Sequence, residues 1–518
     1  MPAAEPRDGL MIDRVAVIGA GPCGLAAAKY LAAENKFAKI DVFEQRATPG
    51  GLWNYTATNA PDTDFAIPRT LPTTRNDVPV RTDGSVAAQF VSPVYDALET
   101  NIPYTLMNYS DLPFPDDTPL FPHHTAVNAY LHVYAKDVQP FLHLETQVVS
   151  AKKIKLSGAS GPPCPKAVWE LKLLDLRNQI QRTVQYDAVL VASGHYNDPF
   201  VPDIAGLAAF DRAHPGVVIH SKFYRRPDDF TAMKVVVVGN SASGIDISAQ
   251  VATVAQSPVF VSEKEAAAPP ADVQALENWA CLKPEIVQFL PESRAVCFAD
   301  GSVVGDIDAV IFCTGYLYSF PFLRNTDTEK DDNTAIITDG AYAHHLYQHI
   351  LYIEDPSLAF LGIPQRIVPM PVAEAQSAWV ARLWANRLPM PTMAEMRAWE
   401  MQTLQEKGAS KLVHNLAFPR DVIYINWLHD RSLEAVPRLE RGLANGGAGK
   451  IPPYWGEEKA WVRQRFPLIK AANRALGDKR NEVRTLEQLG FDFHAWKATK
   501  AAEEKEAADG KNPETALL

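Results

Sequence analysis

The sequence predicts an α/β fold with two Rossmann-like dinucleotide-binding units and a helical C-terminal part, on three observations. Two apolar strands each pass through a glycine-rich turn into a helix, at residues 15–31 and 235–254, about 220 residues apart. A second short apolar strand follows each of these helices, as a βαβ unit requires. Helix-period patterns fill residues 373–387 and 393–405.

The chain has 518 residues, too many for one ordinary core, so it divides into domains. Residues 1–200 and 320–495 are expected to form one discontinuous unit, 201–319 a second unit inserted into it, and 496–518 a disordered tail. The formal charge of -11 and 21% charged residues exclude nucleic acid as a natural partner. No basic leader precedes an apolar run, and no apolar run approaches the roughly 18 residues of a membrane helix. The reading is a cytoplasmic protein with no integral membrane segment. Cys23, Cys164, Cys281, Cys297 and Cys313 are odd in number and lack CxxC spacing, which argues for reduced thiols and against a disulfide framework or a metal site.

The first opening reads GAGPCG from Gly19 through Gly21, Pro22 and Cys23 to Gly24. Gly19 permits a tight turn, Gly21 close approach of a pyrophosphate, and Gly24 close helix packing, while the helix N-terminus offers amide donors to an anion. The next strand, residues 39–43, ends at Glu44, 20 residues beyond Gly24, where a carboxylate can accept from both hydroxyls of an unphosphorylated ribose. The second opening, GNSASG, has Gly239 and Gly244 with Ser241 in the middle glycine's place, and Ser241 and Ser243 can donate to phosphate. Its second strand, 258–261, ends at Ser262, Glu263 and Lys264. A 2'-phosphate would favour Lys264 and a free ribose an acid, so NADPH is favoured and NADH left open. Between the two units, residues 55–93 form a proline-rich stretch that is either an active-site lid or a loose insertion. Residues 146–187 alternate as an antiparallel meander, with a turn at 158–163.

These motifs, with Gly50-Gly-Leu-Trp, Thr100-Asn, Asp111-Leu-Pro-Phe-Pro, His220-Ser and Phe312-Cys-Thr-Gly-Tyr, occur in an order that resembles the class B flavin-containing monooxygenases, especially their fungal branch. The resemblance covers residues 12–490. It implies FAD and NADPH as cofactors, with Gly51, Leu52 and Trp53 beside the flavin, Thr100 and Asn101 near its reactive edge, Asn101 as the catalytic residue, and Gln376 on a helix covering the flavin. The family's F-x-G-x-x-x-H-S-x-x-Y motif is altered: Phe210 and Gly216 stand further apart, while Gly216, His220, Ser221 and Tyr224 keep their spacing. His220 is expected to link the domains.

What the resemblance implies is an N,N-dimethylaniline-type monooxygenase: the nicotinamide reduces FAD, the flavin takes up O2 as a C4a-hydroperoxide, and an amine, sulfide or thiol is oxygenated. A homodimer and peripheral attachment to the endoplasmic reticulum are compatible with it. Baeyer-Villiger oxygenation of ketones is the alternative, which Tyr224 disfavours because those relatives carry Trp-Pro after the histidine. A flavoprotein reductase or oxidase is a further one, lacking the paired redox cysteines a disulfide reductase needs.

Overall fold

The computed structural model describes residues 10–57, 65–80, 87–155, 167–264, 279–324 and 334–509, with side chains to 504. Cys164, the turn at 158–163, the first nine residues and parts of the 55–93 stretch lie outside them.

The strand Arg14–Ile18 is apolar on both faces, the signature of a strand covered on both sides. It pairs in parallel with Lys39–Phe43 on one side and Ala188–Val191 on the other. Leu142–His143 and Leu358–Phe360 extend this parallel core, and Leu346–Tyr347 and Leu351–Tyr352 add antiparallel strands at one edge. The helix Pro22–Ala32 starts with proline in its first turn, where no amide hydrogen bond is lost. The meander is present as Thr146–Lys155, Ala167–Asp175 and Ile180–Tyr186.

A second sheet, wholly parallel, runs in the order Ala280–Lys283, Val259–Ser262, Val235–Val238, Ala309–Phe312, Val218–His220. The chain enters this unit after Asp198–Pro199 and leaves it before Tyr316–Leu317, and these two segments pair antiparallel. His220 sits beside this crossing, fully buried. Its Nδ1 accepts from the Lys222 N–H, so Nε2 carries the proton and donates to the Gly315 carbonyl at 3.0 Å. That is a linking role for a neutral ring, and burial holds its pKa down at about 3.

The helix expected over 373–387 is Pro369–Trp384. It begins earlier because Pro369 and Pro371 fall in its first turn, which tolerates proline, and it ends before Asn386, which has a φ of 55°. Every residue from Met370 to Trp384 is buried, so this helix lies inside the larger core against Pro22–Ala32 rather than on its surface. Met393–Lys407 forms as expected, opened by a capping box between Thr392 and Glu395. Arg387 and Glu34, both fully buried, pair at 2.8 Å, and Arg387 also donates to the carbonyls of Val436, Gly447 and Ala448. That pairing satisfies two charges that would otherwise be costly to bury.

Residues 496–509, expected to begin a disordered tail, continue the helix Phe493–Asp509, whose first turn packs Phe493 and Trp496 on Trp461.

Candidate functional site

A cavity of about 380 Å³ opens at the carboxyl ends of Arg14–Ile18 and Ala188–Val191, where the strand order reverses and open α/β sheets bind ligands. Gly19, Gly21, Pro22, Cys23 and Glu44 line it, as do Gly51, Leu52 and Trp53.

The turn has a steric logic. A Cβ on Gly24 would lie 1.8 Å from the Gly19 carbonyl oxygen, so Gly24 lets the helix sit on the turn rather than touch a ligand. A Cβ on Gly51, which has a φ of +58°, would come within 2.8 Å of the Gly21 Cα. The two glycines thus bring the Gly51–Trp53 turn against the phosphate turn, and the Gly50 N–H donates to the Ala20 carbonyl at 2.9 Å. Glu44 is buried, with Oε2 accepting from the Ala20 N–H and Oε1 from the Arg46 N–H, both at 2.9 Å. Burial pushes its carboxyl up, and the backbone donors oppose that shift. A carboxylate pinned in this way keeps lone pairs for hydroxyl donors. The amides at the helix N-terminus, the glycine cradle and the acid together fit the pyrophosphate and ribose of a dinucleotide such as FAD.

Sequence reasoning missed much of the wall. His195 and Tyr196 follow the strand Ala188–Val191, and Gln147 and Val148 come from the meander. The signal was available in principle, since strand ends beside the switch point face the crevice. His195 is buried between Tyr196 and Tyr318, with ring centroids at 4.2 and 4.8 Å. Neither ring nitrogen makes a well-aligned hydrogen bond among the described residues, and only the Gly362 backbone acts on it as a hydrogen-bonding group. Burial lowers its pKa to about 4, so it is neutral at pH 7. Burial also pushes the Cys23 thiol up to about 12, which leaves no thiolate at the wall.

Thr73, Asn76, Asp77 and Pro93 bring the 55–93 stretch to the wall of this cavity. Arg69 pairs with Asp198 at 2.6 Å, the Thr73 N–H donates to the same carboxylate, and Asn197 donates to both oxygens of Asp77 at 2.8 Å. Thr73, Asn76 and Asp77 line the cavity, and the reading as a loose insertion is thereby overturned for these residues.

Three expected site residues stand elsewhere. Gln376 is fully buried behind the wall, accepting from the Gly362 N–H at 2.9 Å and donating to the Tyr424 hydroxyl at 3.0 Å, so it positions Gly362 and does not line the cavity. Thr100 and Asn101 are also absent from the lining. The Thr100 hydroxyl donates to the Ile102 carbonyl, and its own carbonyl accepts from Lys470.

The second unit repeats the turn. A Cβ on Gly244 would lie 1.8 Å from the Gly239 carbonyl oxygen. Gly21 and Ser241 both have extended backbone, with φ of -75° and -105°, which explains why serine is accommodated. Ser241 and Ser243 are exposed, and the Ser241 hydroxyl makes no capping bond. Ser262, expected to meet the coenzyme, is buried instead: it is the last residue of a strand covered on both faces, and its hydroxyl donates to the Pro284 carbonyl at 2.9 Å. Lys264 is exposed. No described helix is long and apolar enough to cross a membrane.

A family model described as flavin-binding monooxygenase-like matches residues 85–268 and 273–439, and one described as an NAD(P)-binding Rossmann-like domain matches residues 17–75. The chain is similar to the flavin-containing monooxygenase iboF of Amanita muscaria, 30% identical over 482 residues that cover 81% of this chain and 88% of that protein. It is 32% identical to the thiol-specific monooxygenase of Saccharomyces cerevisiae over 400 residues, covering 74% and 80% of the two chains. Among solved structures it is similar to S-allyl-L-cysteine S-oxygenase from Allium sativum, with a TM-score of 0.70, 28% identity, and coverage of 92% of this chain and 96% of that one.

Proposed function

The chain belongs to the flavin-binding monooxygenase-like family, and from that premise we propose that it oxygenates a soft sulfur or nitrogen atom of a small molecule, using FAD, a nicotinamide coenzyme and O2. FAD is assigned to the first cavity and the coenzyme to the second unit. The bound flavin supplies the redox chemistry, accepting a hydride and activating O2.

The observation that carries the reading is the geometry of the first cavity, where Gly19, Gly21 and Gly51 bring two turns together and the buried Glu44 is held by two backbone amides, a cradle that fits a dinucleotide such as FAD. The chain's own residues bind and orient: the glycine turn and Glu44 take the dinucleotide, and Leu52 and Trp53 flank the cavity. Asp198, through Arg69 and Thr73, holds the wall that keeps water away from the reacting atoms. Asn101, next to the Lys470-anchored Thr100, is the candidate for a hydrogen bond to the reactive edge of the flavin. Sulfur is favoured over nitrogen by the similarity to a thiol-specific monooxygenase and to an S-oxygenase. Its thiols suit a reducing compartment such as the cytoplasm.

The test is turnover of a dialkyl sulfide, a thiol and a tertiary amine under ¹⁸O2 with product mass analysis. One labelled oxygen in a sulfur or nitrogen product supports the reading, and unlabelled substrate with stoichiometric peroxide contradicts it.

A further inference from the structure

We infer that Glu263 selects the nicotinamide coenzyme by its ribose, making NADH at least as good a reductant as NADPH; this rests on the second unit being the coenzyme site. The two turns match in register. In the first, the Gly19 N–H donates to the Phe43 carbonyl at 2.8 Å, and the next residue, Glu44, donates its own N–H to the His143 carbonyl at 3.0 Å. In the second, the Gly239 N–H donates to the Ser262 carbonyl at 2.8 Å, and the next residue, Glu263, donates to the Lys283 carbonyl at 3.1 Å. Glu263 therefore holds the place of Glu44. Its carboxylate is turned toward the equivalent residue through a different donor: Glu44 Oε2 accepts from the backbone N–H of Ala20, the residue after Gly19, and Glu263 Oε2 accepts at 3.1 Å from the side-chain amide of Asn240, the residue after Gly239.

A carboxylate held at the end of the second strand accepts from ribose hydroxyls and repels a 2'-phosphate. Ser262, whose hydroxyl could have donated to a phosphate, donates to the Pro284 carbonyl instead. Lys264, one residue further on, is the opposing charge, so the test removes each side chain separately.

The experiment is calorimetric binding of NADP+ and NAD+ to the flavin-loaded full chain, for the unaltered protein, Glu263→Gln, Glu263→Arg and Lys264→Ala, with flavin content as the control for folding. The expected result is NAD+ binding at least as tightly as NADP+, with the preference moving at least tenfold toward NADP+ in Glu263→Arg and in the same direction in Glu263→Gln. Tenfold tighter NADP+ binding by the unaltered protein overturns the inference, as does an unchanged ratio in both Glu263 variants or selective loss of NADP+ in Lys264→Ala. Binding of neither coenzyme by a flavin-loaded protein overturns the assignment of the unit itself, and this inference with it.

Discussion

Gly24 lies directly on Gly19: a methyl group added to the first would sit 1.8 Å from the carbonyl oxygen of the second, and Gly244 lies on Gly239 in the same way. The contact is backbone to backbone, so no side chain can move to relieve it, and alanine at either position must push the helix off its turn.

With FAD proposed for the first turn and the nicotinamide coenzyme for the second, the two substitutions are separable. Gly24→Ala is expected to yield protein that loses most of its flavin on gel filtration. Gly244→Ala is expected to keep its flavin and to lose at least tenfold in the rate of flavin reduction by either nicotinamide coenzyme. Flavin spectra and anaerobic reduction measure both, and equal flavin loss in the two variants would contradict the assignment.

The neutral state of His195 has a sign that can be checked. Its folded pKa is about 4, below the ordinary histidine value of 6.5, so the unfolded chain binds the extra proton between these pH values. The stability from keeping it neutral is fully present above pH 6.5 and falls as pH drops toward 4, by about 1.4 kcal/mol per pH unit. His220 and His414, both held at about 3, act in the same direction, while the raised carboxyls of Glu44 and Glu374 act against them. Comparing the protein with His195→Asn isolates one group. In urea denaturation the variant is expected to gain on the unaltered protein as pH falls from 6.5 to 5, and parallel curves would show that His195 is not held neutral.

Asn101 does not line the cavity, yet it is the candidate for a contact with the reactive flavin edge. Asn101→Ala should retain flavin and bind coenzyme normally while releasing about tenfold more of its reducing equivalents as peroxide, read by a coupled peroxidase assay against substrate oxidised. Unchanged coupling would remove Asn101 from the chemistry.

Much of the site was legible because its requirements are local. A turn with Gly19, Gly21 and Gly24, a following strand and an acid at Glu44 must fall at fixed spacing, and they do. Strand ends are read less accurately than strands, and one residue of error reverses the side of the sheet. Ser262 and Glu263 differ by that one residue: Ser262 is buried against Pro284, and Glu263 stands at the register position that Glu44 holds in the first unit. Gln376 was placed on the right helix, but whether a polar residue meets a ligand or the wall behind it depends on packing, here by Gly362 and Tyr424. His195, Gln147 and Asp77 come to the cavity from segments distant in the chain, and no local pattern announces that. The terminal helix depended likewise on Trp461, a partner outside its own sequence.

In the proposed function the reduced flavin of this protein activates O2 for transfer to a nucleophile. The most direct test is to reduce the flavin-loaded protein anaerobically with NADPH or NADH, admit O2, and follow the flavin spectrum by stopped flow. A long-lived species absorbing in the near ultraviolet is expected, decaying faster when a sulfide, thiol or amine is added. Immediate return to oxidised flavin with one peroxide per flavin, unaffected by any of these nucleophiles, would contradict the proposed function.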